Sequence, residues 1–144
     1  MWTVAQLAAD LDKGRTTSRE LVEQALARIA DPAGEGKRAF LEVYTERARA
    51  EADYCDRLRK GGVRRSRIDG LPVSLKDLYD VAGEVTRAGS KVLAKAPPAK
   101  ADAAAVARLR ASGPPHRRPV WRAALSRGRA SRRASPRRLC RKDP

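Results

Sequence analysis

Apolar residues recur at helical spacing from the start of the chain. Val4, Leu7, Ala8 and Leu11 fall on one side of a helix predicted over 4–13, with Thr3 placed to cap it and Gly14 to end it. Thr17-Ser18-Arg19-Glu20 has the spacing of a capping box, in which the Glu20 carboxylate returns to the Thr17 amide. Leu21, Val22, Ala25, Leu26 and Ile29 continue as one apolar stripe until Asp31-Pro32 ends the helix. A short strand is predicted over 39–44. It leads into an alanine-rich helix from Thr45 to about Lys60, with Ala48, Ala52, Cys55 and Leu58 near one side and Gly61-Gly62 at its end. Cys55 reads as a small core residue rather than a nucleophile. The basic connection over 63–70 reads as a solvated loop. Strict alternation over 71–76 predicts a strand that turns Leu71, Val73 and Leu75 one way and Pro72, Ser74 and Lys76 the other. A Gly-punctuated loop follows over 80–90. Asp102 is placed to cap a last helix over 103–111, with Val106 and Leu109 inward and Gly113 beyond it. An α/β chain calls for another strand after that helix, but Pro114-Pro115 stands there instead.

Composition divides the chain at the same place. The 144 residues carry 32 Lys+Arg against 17 Asp+Glu, a net charge of +15. Residues 1–113 hold 21 basic and 16 acidic side chains; residues 114–144 hold 11 basic and one acidic. Leu, Ile, Val and Phe make up 23 of the first 113 residues and only 3 of the last 31, too few for a core in the tail. The expectation is an incomplete folded segment over 1–113 and an unstructured Arg/Pro-rich tail over 114–144. No run of about 18 apolar residues suits a membrane helix. The N-terminus lacks the pattern of a leader, and a cytoplasmic protein is expected. Cys55 and Cys140 fit no metal spacing, and His116 is the only histidine, so neither a zinc site nor a histidine-based triad is expected.

Asp69-Gly70-Leu71-Pro72-Val73-Ser74-Leu75-Lys76-Asp77, then Gly83-Glu84-Val85-Thr86 and Ala88-Gly89-Ser90, resemble the N-terminal block of the amidase signature family. The helix beginning Thr17-Ser18-Arg19-Glu20-Leu21-Val22, the pair Ala39-Phe40 before an alanine-rich helix, and Asp102-Ala103 with Val106-Ala107-Arg108-Leu109 and Gly113 fit the same family in the same order. The resemblance covers nearly all of residues 3–113. It implies the opening part of a mixed-sheet α/β fold and a Ser–cis-Ser–Lys hydrolase of small-molecule amides that uses no metal or cofactor. The family's catalytic lysine falls on Lys76. An ammonium cannot accept a proton, so such a lysine has to be neutral, which requires desolvation or a cationic neighbour. It would then accept a proton from a bridging serine that in turn deprotonates the nucleophilic serine. Taken alone, Lys76-Asp77 reads as a surface ion pair; the surrounding match reverses that reading.

The resemblance stops short of the family's Gly/Ser-rich segment, which carries the two serines and the amides of the oxyanion hole. Ser74 and Ser90 do not fall on the nucleophile position, and Ser126, Ser131 and Ser135 stand among arginines. A fragment without activity of its own is therefore expected. One account of the tail is a shifted reading frame. His116-Arg117-Arg118-Pro119 can be written CAT-CGT-CGG-CCG, followed by the G of the Val120 codon, which read one base later gives ATC-GTC-GGC-CGG or Ile-Val-Gly-Arg, the kind of strand and turn the family has next. The rival account is a basic arm that uses its ten arginines and Trp121 to bind nucleic acid non-specifically. An alternative parent is the amidase component of a tRNA-dependent amidotransferase, although the stretch 76–83 looks more like the stand-alone amidases.

Overall fold

The computed structural model describes residues 2–112 together with the backbone of 121–123. The elements run α1 (Val4–Asp12), α2 (Ser18–Ala30), α3 (Gly36–Ala39), β1 (Phe40–Val43), α4 (Thr45–Lys60), β2 (Ser74–Lys76), a 3-10 turn (Leu93–Lys95), α5 (Ala104–Ala111) and β3 (Trp121–Ala123). Local signals set the first helices. Thr3 and Gln6 form a capping box on α1, and Thr17 and Glu20 form the expected one on α2, with bonds of 3.1 Å from the Glu20 amide and 2.9 Å from the Thr17 amide. The α1 stripe is less buried than its spacing suggests. Only Leu11 is buried, and Val4 lies open to solvent.

The main helix pair is α2 on α4. Val22 packs on Ala48 and Ala52, whose small side chains let the two helices approach closely, and Ala25, Leu26, Ile29, Phe40 and Val43 close around them. Polar contacts fix the pair's register. Asp56 of α4 accepts hydrogen bonds from the Ser18 and Arg19 amides at 2.7 and 3.0 Å, so the N-terminus of α2 is also capped from a neighbouring helix. Glu23 joins Arg19 and Arg49, each at 2.8 Å, and these hydrogen bonds, Arg49's first, hold its carboxyl at about 2. A carboxyl depressed in the folded chain adds stability above its ordinary value of 4.5 and loses it as pH falls toward 2. The thermal midpoint is therefore expected to fall between pH 4.5 and 2, and Glu23→Gln to flatten that part of the profile.

The sheet has the order β1-β3-β2. β1 runs antiparallel and β2 parallel to β3, so Phe40, Ala123 and Lys76 share one cross-strand row, and Val43, Trp121 and Ser74 another. The β1 register shifts between Phe40 and Glu42. This bulge turns Phe40 and Val43 to the same face, against α2 and α4. Leu75 faces the other way and forms a second core with Val81 and Val106, joined by Ala103 and Leu109. The sheet thus has helices on both faces, as an α/β fold requires.

Several expectations are corrected. The strand predicted over 71–76 is extended but ladder-paired only over Ser74–Lys76, and Leu71 and Val73 are half-buried. Asp102 does not cap α5, whose N-cap is Ala103. Its carboxylate accepts from the Ala82 amide at 2.8 Å and pairs with Arg110, because the loop before α5 brings those partners within reach. The connection over 63–70 is not wholly solvated. Asp69 is buried and paired to Arg65 at 2.5 Å. The turn that buries it needs Gly70, which has φ of +85° and lies where a Cβ would come within 2.1 Å of Ser18 Oγ. Finally, β3 falls inside the segment expected to be unstructured. Pairing uses backbone groups alone, so a strand can fill the space between β1 and β2 without the expected apolar pattern. The other tail residues expected to lack structure lie outside those described.

Candidate active site

β2 ends at Lys76, and the turn beyond it is held by hydrogen bonds. The Tyr79 amide donates to the Lys76 carbonyl at 3.2 Å. Asp77 turns inward and is 3% exposed. Its carboxylate accepts from the Arg87 amide at 3.2 Å, and its carbonyl accepts from the Ala88 amide at 2.9 Å. Asp77 therefore ties the end of β2 to the turn over 87–90, where Ala88 and Gly89 both have positive φ, +49° and +71°. Asp77 is thus an interior residue and not half of a surface pair, its carboxylate accepting from the Arg87 amide.

Lys76 itself is exposed. It shares a cross-strand row with Phe40 and Ala123, on the face that packs against α2 and α4, and stands on an edge strand of the three. Ser74, two positions earlier on that face, is also exposed and borders a groove of about 370 Å³ between α2, α3 and β2. Ala25, Ile29, Phe40 and Pro72 give the groove apolar walls. The Ser90 hydroxyl accepts from the Val92 and Leu93 amides at 3.2 and 3.4 Å, holding the start of the 3-10 turn. Its role there is structural. Ser126, Ser131 and Ser135 lie outside the described residues.

Two further contacts brace the loop after Lys76, and no sequence signal announced either. The Tyr44 hydroxyl donates to Glu84 at 2.7 Å; burial first, and then this carboxylate, raise the phenol's pKa well above its ordinary value. The backbones of Gly83 and Glu84 pair with Ala99 at 2.8 and 2.9 Å. Among the described residues no cluster of His, Cys, Asp and Glu is suited to hold a metal ion. No described helix is long and apolar enough to cross a membrane.

Cys55 is a core residue, as its place on α4 suggested. It is buried beside Asp69 and Arg65, with Sγ 3.7 Å from Asp69 Oδ1. Burial foremost, and then the Asp69 charge, push its thiol up to about 11. In a Cys140→Ser chain at pH 8, a disulfide thiol reagent is expected to leave Cys55 unmodified until urea unfolds the protein. Rapid labelling of the native chain would contradict this burial.

The chain is similar to known proteins in sequence and in fold. The family model described as Amidase matches residues 20–115. The chain is 43% identical over 108 residues to the AtzE subunit of the 1-carboxybiuret hydrolase of Pseudomonas sp. (strain ADP), covering 75% of this chain and 23% of that protein. It is 48% identical over 98 residues to one subunit of the glutamyl-tRNA(Gln) amidotransferase of Anaeromyxobacter dehalogenans (strain 2CP-C), covering 67% and 19%. Among solved structures, an amidase superposes with a TM-score of 0.71 at 34% identity, covering 85% of this chain and 27% of that one. The native peptide amidase of Stenotrophomonas maltophilia superposes with 0.63 at 34% identity, covering 85% and 23%. The chain thus spans about a quarter or less of the length of the relatives it matches. The strand ending in Lys76, the Asp77 turn and α2 through α5 lie within or beside the matched residues, and the chain belongs to the Amidase family.

Proposed function

We propose that this chain is the N-terminal portion of an amide hydrolase, in which Lys76 is the proton acceptor and to which the serine pair and the oxyanion hole are contributed by sequence that the chain does not match. The observation that carries this reading is the placement of Lys76 at the end of β2, next to a buried Asp77 that fixes the turn, inside the segment matched by the Amidase model. A base needs a nucleophile in hydrogen-bond reach, and the serine pair of this reading lies outside the matched segment. The purified 144-residue chain is therefore expected to release no ammonia or amine from a panel of small amides. Hydrolysis that disappears in Lys76→Ala would overturn this inactivity.

The division at residue 113 belongs to the same reading: 1–113 is the incomplete Amidase segment, and 114–144 is an out-of-frame product. Binding of nucleic acid through those arginines is the rival. It requires steeply salt-dependent binding that vanishes when 114–144 are deleted.

A second parent is supported by the 48% identity to an amidotransferase component. The two parents differ in the fate of the ammonia. In both the acyl group passes to water; a stand-alone amidase releases the ammonia, whereas an amidotransferase delivers it to a second acceptor. Assay of an intact protein carrying this segment, with and without a glutamyl-tRNA acceptor, separates them.

A further inference from the structure

The end of α4 and the loop beyond it carry more positive charge than the fold neutralises. Six of the eleven residues over 57–67 are basic and none is acidic. Arg59 and Arg64 share Asp12 of α1, and Arg65 pairs with Asp69. Asp56 is occupied by the α2 amides. Arg57, Lys60 and Arg67 are exposed and form no ion pair among the described residues. The Asp12 bridge also brings the end of α1, with the exposed Lys13, to this stretch. Part of the surface is held in place before any ligand arrives. The Arg57 guanidinium stands over the Tyr54 ring, 5.9 Å from its centre, and Arg64 Nε donates to the Ser66 carbonyl at 3.1 Å. A bare helix C-terminus would repel an anion, but the last carbonyls of α4 are occupied. The Gly62 amide donates to the Arg59 carbonyl and the Val63 amide to the Leu58 carbonyl, both at 2.9 Å, with Gly62 at φ of +76°. A Cβ on Gly62 would meet nothing within 4 Å, so this turn stands clear of the fold.

We propose that the surface from Arg57 to Arg67 binds the phosphate backbone of a nucleic acid without reading its sequence. Arg57 and Lys60 stand three apart on one side of α4, and Arg64 and Arg67 extend the charge into the loop. Guanidiniums suit phosphate oxygens because they offer paired N–H donors. The surroundings select among anionic partners. An acidic protein would need an apolar core to its interface, and Val63 is the only exposed large apolar side chain in the stretch. An anionic membrane holds a protein stably only when a second anchor joins the basic one. Nucleic-acid interfaces are polar and strongly positive, and phosphate contacts alone suffice for binding that ignores sequence. The proposal is independent of the reading of Lys76 and of the arginines in 114–144.

The test is fluorescence anisotropy of a labelled DNA duplex of about 20 base pairs with the full 144-residue chain, repeated over a range of salt concentrations. Arg57→Gln/Lys60→Gln/Arg67→Gln removes three charges from the surface. Lys91→Gln/Lys95→Gln/Lys100→Gln removes three exposed charges elsewhere and leaves the same net charge. The first variant is expected to bind about tenfold more weakly or worse near about 0.1 M salt, and its slope of log affinity against log salt to flatten by about 2–3, at roughly 0.9 per lost contact. The second is expected to keep the wild-type affinity and slope. All six positions are exposed, so both variants are expected to melt like the wild type. Arg67→Gln alone, the mildest change, is expected to flatten the slope by about one. Equal weakening by the two triple variants would assign binding to overall charge or to 114–144 and overturn the proposal, as would a wild-type slope in the first. Tighter binding to polyglutamate or to phosphatidylserine vesicles than to the duplex, lost in the same variant, would overturn it in favour of an acidic protein or a membrane.

Discussion

Replacing Gly36 with alanine is expected to lower the thermal midpoint by on the order of 10–20 °C. Gly36 opens α3, the single turn that carries the chain from α2 to β1, and it is buried against the end of α2. A Cβ there would stand 2.0 Å from the Ile29 carbonyl oxygen and 2.6 Å from both the carbonyl carbon and Cα of Ile29. These are backbone atoms, so no rotamer change relieves the clash. Either the last turn of α2 moves or α3 lifts off it. Both shift Phe40, which closes the α2–α4 core and begins β1. Overpacking commonly costs about 1–3 kcal/mol, and a clash with fixed backbone belongs at or beyond the upper end. Thermal melting followed by circular dichroism measures it. A change of only a few degrees would show that α3 is not seated on α2 as described.

Arg65→Ala is expected to be comparably damaging, by about 3–5 kcal/mol, because it leaves a buried carboxylate without its cation. Asp69 is 4% exposed. Arg65 reaches it through Nη2 at 2.5 Å and Nε at 3.3 Å, while its guanidinium also lies 5.5 Å from the centre of the Tyr54 ring. After the substitution the residue 65 amide and the Cys55 thiol remain beside the carboxylate, and neither carries a compensating charge. Arg65→Lys is expected to recover part of the loss, since one ammonium restores charge but not the two-pronged contact. Urea titration of the three proteins gives the order. Equal stability of the wild type and Arg65→Ala would mean that Asp69 is solvated.

What could be read in advance follows the range of the interactions involved. The capping box of α2, the length of α4 and the burial of Cys55 are set within a turn or two of sequence, and they appear at the expected positions. α3 has no apolar periodicity in Gly36-Lys37-Arg38-Ala39; it forms because the α2 terminus makes room for a glycine. The burial of Asp69 and Asp77 and the pairing of Asp102 with Arg110 depend on how loops fold back onto their partners, which residue spacing does not encode. Alternation over 71–76 identified an extended segment but not how much of it would find a partner strand. For the site, the position of Lys76 was legible only through a resemblance carried by many residues in order. Its exposure was not, because alternation places a side chain on a face without saying what lies opposite.

If the proposed joining of an Amidase segment to sequence from another frame is right, the nucleotide sequence of the gene across and beyond the codons for residues 113–120 will show it. A frame one base away is expected to encode an apolar strand and a Gly-Arg or Gly-Lys turn, followed by a Gly/Ser-rich segment with two serines and the rest of an Amidase domain. A gene in which no alternative frame continues the family, and in which only the arginine-rich sequence follows Gly113, would contradict it.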